Sequence, residues 1–133
     1  MKRQKLPIHT DEAETFVDIT GWVQTIVKKA EIQQGMCHLF VPHTTAGVTV
    51  NENCDPDVTR DMLVALDKQV PKKGDYRHAE GNSHAHIKAS MMGHSLTVPV
   101  EGGRLLLGQW QGLYFTEFDG PRSRQVIVTV TGC

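Results

Sequence analysis

The sequence predicts a mainly β, α+β fold: a β-sandwich with two or three helices on its outside or at its ends. Three observations predict it. Short β-branched or alternating runs recur along the whole chain, among them FVDIT, MCHLFVP, AGVTVNE, GLYFTEF and RQVIVTVTG, and such runs suit a pleated, half-buried surface. Most neighbours among them are joined too tightly for the crossover that parallel strands require. Only three stretches carry helical periodicity or helix punctuation, so strands outnumber helices and sheet must pack on sheet.

The elements follow in order. The first ten residues suit a strand, with Pro7 favouring an edge position because it lacks the N–H a central strand needs. FVDIT (16–20) alternates, and Thr20 can cap a helix running to about Ile32. Trp22, Val23, Ile26, Val27 and Ala30 give that helix one apolar face, and Gly35 ends the turn. Strands follow at 36–42 and 46–52. Asp55 then reads as an N-cap with Pro56 at the first helical position, and Val58, Met62, Ala65, Leu66 and Gln69 continue an amphipathic helix. Residues 71–82 carry no period and read as a loop. Ser83 can cap a short helix, HAHIKASMM, closed by Gly93. EGG at 101–103 marks a hairpin, and two further strands close the chain.

A length of 133 residues makes one domain, 1–133, able to bury roughly two-thirds of its unfolded surface. Lys and Arg number 14 against 15 Asp and Glu, so no basic excess points to nucleic acid or a membrane surface as partner. The N-terminal MKRQKLPIHTDEAE has charge without a following apolar segment, unlike a signal peptide, and no run is long enough to span a bilayer. Cys37, Cys54 and Cys133 are odd in number and lack CxxC spacing, which fits reduced thiols and a cytoplasmic location.

Chemistry-bearing residues gather in three stretches. In PHTTAGVTVNE (42–52), His43 sits at a break between two strands, where a sheet end holds a side chain rigidly; taken alone, a structural His bonded to Thr44 or Thr45 is the simpler reading. YRHAEGNSHAHIK (76–88) holds His78, His84 and His86, but no i, i+4 pair of the zincin type. A solvated loop and a functional site both fit it, with Asn82 and Ser83 shaping the loop and capping the helix. In TEFDGPRSR (116–124), Glu117 lies in an apolar, aromatic strand and needs a compensating group if it points inward. Asp119-Gly120-Pro121 is a turn, and Arg122 and Arg124 beyond it could clamp a phosphate or simply be solvated. Cys54 precedes a helix start, yet Asp55 opposes its thiolate; Trp22 and Trp110 read as core or interface aromatics.

Taken together, HTTAGVTVNENCDPDV, YRHAEGNSHAHIKASMMG and GQWQGLYFTEFDGPRSR, in this order, resemble the YjbQ-like family over nearly the whole chain. The resemblance implies a small β-sandwich or jelly-roll-like protomer with flanking helices, assembled as a homotrimer. It implies a weak, secondary thiamine-phosphate synthase activity, joining an aminopyrimidine pyrophosphate to a thiazole phosphate, with the primary substrate open. The family's polar signature falls on His43, Asn51 and Glu52, on His78, Asn82, His86 and Lys88, and on Trp110, Gln111, Glu117 and Arg124. His43, His78, His86 and Glu117 are then the expected catalytic residues. Asn51, Glu52, Asn82, Lys88, Arg122 and Arg124 are the expected ligand-binding residues.

Three neutral imidazoles, His43, His78 and His86, with Glu117 as a further ligand, would suit a divalent metal such as zinc, magnesium being the other cofactor expected; without metal they could act as general acids and bases. Lys88, Arg122 and Arg124 would supply charge to a leaving pyrophosphate. The chain has no long glycine-rich phosphate loop. The expected partner is a small phosphorylated or heterocyclic metabolite. The alternative is a trimeric binding protein that captures a small anionic metabolite without catalysis, and a third reading is a structural trimer.

Overall fold

A computed structural model describes residues 1–133. The elements run β1 (Lys2–His9), β2 (Thr15–Asp18), α1 (Thr20–Ala30), β3 (Gln34–Phe40), β4 (Ala46–Glu52), α2 (Pro56–Gln69), α3 (Ser83–Met92), β5 (Ser95–Glu101), β6 (Arg104–Leu105), β7 (Gln111–Glu117) and β8 (Ser123–Gly132). All strand pairs are antiparallel. Five strands form one sheet in the order β1-β8-β3-β5-β6, and three form a second in the order β2-β7-β4. The protein is therefore mostly β, with three helices.

One core joins the two sheets. Alternation sends Cys37, Leu39, Val98, Val100, Val126, Val128 and Val130 from the larger sheet into it, where they meet Val48, Leu113 and Phe115 from the smaller. Fully burying each large apolar side chain contributes about 1.5–3 kcal/mol before conformational entropy is charged against it. α1 lays Val23, Ile26, Val27 and Ala30 against the same core. Trp22, on the flank of that helix, stays 52% exposed. A second cluster lies outside the smaller sheet, where Leu66 of α2 and Ala85 and Ala89 of α3 cover Phe118. β7 is consequently buried on both faces from Gly112 to Glu117.

Local signals account for most boundaries. Asp55 adopts an extended conformation and accepts the Asp57 N–H, with Pro56 opening α2 as expected. Gly102 and Gly103 both take positive φ, the requirement of the tight hairpin between β5 and β6. Pro7 does lie in an edge strand, β1. Elsewhere the structure departs from expectation. Thr20 does not cap α1; the Asp18 carboxylate accepts both its N–H and its hydroxyl. α1 stops at Ala30 because Glu31 turns into the left-handed region (φ 55°), leaving Gly35 inside β3. α3 starts without a side-chain cap at Asn82, since that amide is turned toward Asp119. No helix is long and apolar enough to cross a membrane.

Candidate functional site: a guanidinium and imidazole pocket

The strand alternation that fills the core also sets up the site. On β7, Leu113, Phe115 and Glu117 point toward the larger sheet; on β8, Arg124, Val126, Val128 and Val130 point back. At the end of the sandwich the apolar pairs give way to one ion pair, Glu117 with Arg124, whose side chains are 0% and 5% exposed. Arg124 Nε donates to Glu117 Oε1 at 2.8 Å, and its Nη2 reaches Glu117 Oε2 and Thr45 Oγ1. Thr10 donates to the same carboxylate at 2.8 Å and the Asp119 amide at 3.0 Å. Burial is the largest influence on the Glu117 carboxyl and pushes its pKa up. The hydrogen bonds from Arg124, Asp119 and Thr10, with the Arg124 charge, outweigh it and hold the pKa below the ordinary value. Gly120 permits this packing: a Cβ there would stand 2.9 Å from Glu117 Cγ.

With Nε and Nη2 committed, Arg124 Nη1 has no partner within the chain. Three side-chain polar atoms are both enclosed and unpartnered, namely Asn82 Oδ1, His84 Nδ1 and Thr116 Oγ1. Arg124 Nη1 is not among them. It is not enclosed, and Arg124 lines a cavity of about 480 Å³ in which Pro42 is the one apolar residue. His43, Thr44 and Thr45 form one wall of that cavity. His78, Glu80, Asn82 and His86 form a second, and Asp119, Arg122 and Arg124 a third.

His43 has a fixed role in that wall. Its Nε2 accepts the Gln125 backbone N–H at 3.0 Å, two residues beyond the last β8 residue that β3 pairs. The imidazole thus serves a ladder position that β3 no longer reaches. This bond assigns the proton to Nδ1, and burial, followed by the Arg124 charge, lowers the pKa so that the ring is held neutral. His43 therefore presents an N–H donor. His78 and His86 stack edge to face with centroids 5.4 Å apart and an interplanar angle of 89°. Arg122 is tied to Asp119 through Nε and Nη2, which again leaves its Nη1 free. Asn82 Nδ2 also donates to Asp119, at 2.9 Å. Burial is the largest influence on Asp119 and raises its pKa, but bonds from Asn82 and Arg122 bring it below the usual range.

The structure thus brings His43, His78, His86, Asn82, Arg122 and Arg124 to one cavity, with Glu117 behind Arg124 rather than on the surface. It does not bring Lys88, Asn51 or Glu52 there. Lys88 is 0% exposed, on the face of α3 away from His86, and its Nζ binds both Glu14 oxygens at 2.9 and 3.0 Å. His84, one turn before Lys88, shares that face and not the pocket; burial first, with Glu14 opposing, lowers its pKa. Asn51 and Glu52 occupy the far end of β4, roughly 17 Å along the strand from the end that pairs with Glu117. Asn51 there donates to Met62 Sδ, and Glu52 accepts the Asp55 N–H. Trp110 and Gln111 lie at that same far end.

Nor do the three imidazoles form a ligand set: no group of three or more His, Cys, Asp or Glu side chains is arranged to hold a metal ion. The reason at His43 is visible, because the lone pair at Nε2 is already occupied and Nδ1 carries the proton. The residues as placed do not fit a tris-imidazole metal. Thr10 and Glu80 have no site role in the sequence reading, Thr44 and Thr45 enter it only as partners for His43, and Asp119 only as a turn residue. A carboxylate in an apolar strand two residues before a DGP turn was the one available signal for the last.

Fold and site together define a small two-sheet α+β protein with a polar pocket of guanidinium and imidazole donors where the sheets part. The chain belongs to the YjbQ family, described as UPF0047 protein YjbQ-like, whose model matches residues 4–133. UPF0047 protein YugU of Bacillus subtilis is 47% identical over 96% of this chain and 97% of its own length. A UPF0047 protein of Methanocaldococcus jannaschii is 44% identical over 96% and 93%. The crystal structure of an uncharacterized YjbQ/UPF0047 family protein from Clostridium acetobutylicum superposes with a TM-score of 0.95 at 56% identity, covering 96% of this chain and 99% of that one. A protein of unknown function from Sulfolobus solfataricus P2 gives 0.95 at 32% identity, over 99% and 97%.

Proposed function

We propose that the pocket binds the phosphoryl group of a small metabolite. The observation that carries this reading is Arg124: it is desolvated and locked by Glu117 and Thr45, with Nη1 left unpartnered beside a cavity lined almost wholly by polar side chains. A charge-assisted donor held rigid in advance loses little entropy on binding an oxyanion. His43 Nδ1–H and Arg122 Nη1 add two further donors. The attraction is directional rather than bulk charge, because Glu117 and Asp119 offset the two guanidinium charges and Glu80 also lines the cavity.

The catalytic form of this reading is transfer of an aminopyrimidine from its pyrophosphate to a thiazole phosphate. The same donors would then stabilise the departing pyrophosphate, with His78 or His86 moving a proton. In this account no zinc held by the three imidazoles takes part in binding, since His43 has no free lone pair to offer one. Capture without catalysis needs only the donors. Calorimetric titration with inorganic phosphate, beside an assay of the two heterocyclic phosphates, separates the forms. Binding without turnover supports capture, binding with turnover supports transfer, and no heat of binding overturns the proposal.

The homotrimer belongs to this proposal too. Met36 and Phe40 are 45% and 43% exposed on the outer face of the larger sheet, where Pro99 and Ile127 are their cross-strand neighbours. The two flank His38 on that face, and exposed large apolar side chains of this kind are what an interface would cover.

A further inference from the structure

We infer that the site takes a ligand with two anionic groups, the second seated on the β1 side of His43 and Arg124; this rests on the phosphoryl-binding reading above. A separate cavity of about 440 Å³ shares those two residues with the first and continues past them to Lys5 and His9 of β1 and Ser123 of β8. Register explains the arrangement. His9 pairs with Ser123 across the β1–β8 ladder, placing both side chains on one face, and His9 Nδ1 lies 3.2 Å from Ser123 Oγ. Lys5 is four residues back along the same strand and so shares that face.

The two cavities differ in charge. Carboxylates of Glu80 and Asp119 line the first. No carboxylate lines the second, and Lys5 makes no ion pair anywhere in the chain. The second cavity therefore carries an uncompensated positive charge beside a hydroxyl and an imidazole, the chemistry of an oxyanion subsite. Arg124 ties the two together. Its side chain is 95% buried by the 5% exposure of the ion pair, its one unpartnered nitrogen is not enclosed, and it contributes to both linings. A single phosphate fills one side and leaves Lys5 unused. A diphosphate or longer chain can engage both.

Calorimetry with phosphate, pyrophosphate and tripolyphosphate, on wild type and on the Lys5→Gln/His9→Gln double variant, tests this. Both positions are exposed on an edge strand, so the variant keeps its fold. In wild type, at least one of the longer anions binds ten-fold or more tightly than phosphate. In the variant, its affinity falls to the level of phosphate. If phosphate binds but chain length brings no gain, or the gain survives the double substitution, the second subsite is wrong and the phosphoryl pocket stands. If none of the three binds wild type, both fail.

Discussion

Glu117 and Arg124 reach toward each other from opposite sheets and close the sandwich with a buried ion pair, the last inter-sheet contact of an otherwise apolar core. Every acceptor position that Glu117 offers toward the chain is used, by Arg124, Thr10 and Asp119. The carboxylate therefore acts on the pocket through Arg124, as a positioning group. Burying such a pair is itself costly, and what the arrangement secures is a guanidinium that cannot turn away from the cavity.

Glu117→Gln should therefore lower stability, although it preserves the side chain's volume. The substitution leaves Arg124 charged, enclosed and without a counter-ion, a loss of about 3–5 kcal/mol for a broken buried pair. Urea denaturation should show the midpoint fall. An unchanged midpoint would mean the pair is not formed in solution.

Arg124→Lys should weaken phosphate binding by about ten-fold or more, because a single ammonium cannot hold Glu117 and Thr45 and still present a donor outward. Calorimetry reads the change directly. Equal affinity would move the anion site away from Arg124.

Acid should destabilise the protein in two stages. His43 and His84 have pKa values below the 6.5 of an unperturbed imidazole, both chiefly through burial. Their contribution is present above 6.5 and is lost as pH falls through the folded-state values. Glu117 and Asp119 lie below 4.5 and 3.8, so theirs is present above those values and is lost at still lower pH. The melting temperature should accordingly be flat just above pH 7, fall below about 6.5, and fall again below about 4.5. His84→Gln should shrink the first stage. A melting temperature that rises between pH 7 and 5 would contradict the sign of both histidine shifts.

Much of the fold was legible because its signals are local. Asp55 and Pro56 announce α2, EGG announces the β5–β6 hairpin, the β-branched run 46–52 marks β4 with its limits, and the alternating GLYFTEF places β7 to within a residue at each end. A helix end set by a tertiary partner was not legible: the Asn82 amide before α3 is turned to Asp119, 37 positions away. The same division holds at the site. Sequence blocks brought His43, His78, His86, Asn82, Arg122 and Arg124 together, and the cavity contains all six. Their roles depend on atoms far away in the chain. Gln125 lies 82 positions from the His43 ring it engages, and Glu14 lies 74 positions from Lys88. Nothing near Lys88 in the sequence shows that a half-buried acid from the β1–β2 connection will claim it.

Phosphate binding should survive chelation. Because His43 Nε2 is occupied by the Gln125 amide and no three-ligand group exists, affinity measured with and without EDTA should agree. A large loss on chelation would show that the histidines regroup around a metal.

Met36→Ser with Phe40→Ser should convert the proposed trimer to smaller species without unfolding it, since both side chains lie outside the core. Sedimentation velocity distinguishes the states. A wild-type protein that sediments as a monomer at micromolar concentration would remove the trimer from the account.

The central claim is that Arg124 Nη1 and His43 Nδ1–H are donors aimed at a bound phosphoryl group. A crystal structure of the protein grown with phosphate tests it most directly. The account predicts the ion in the cavity between the β3–β4 connection and the Asp119 turn, with an oxygen roughly 2.7–2.9 Å from Arg124 Nη1 and another within hydrogen-bond reach of His43 Nδ1. His43 Nε2 should still accept from Gln125. Phosphate bound elsewhere, or a metal coordinated by His43 Nε2 in its place, would contradict it.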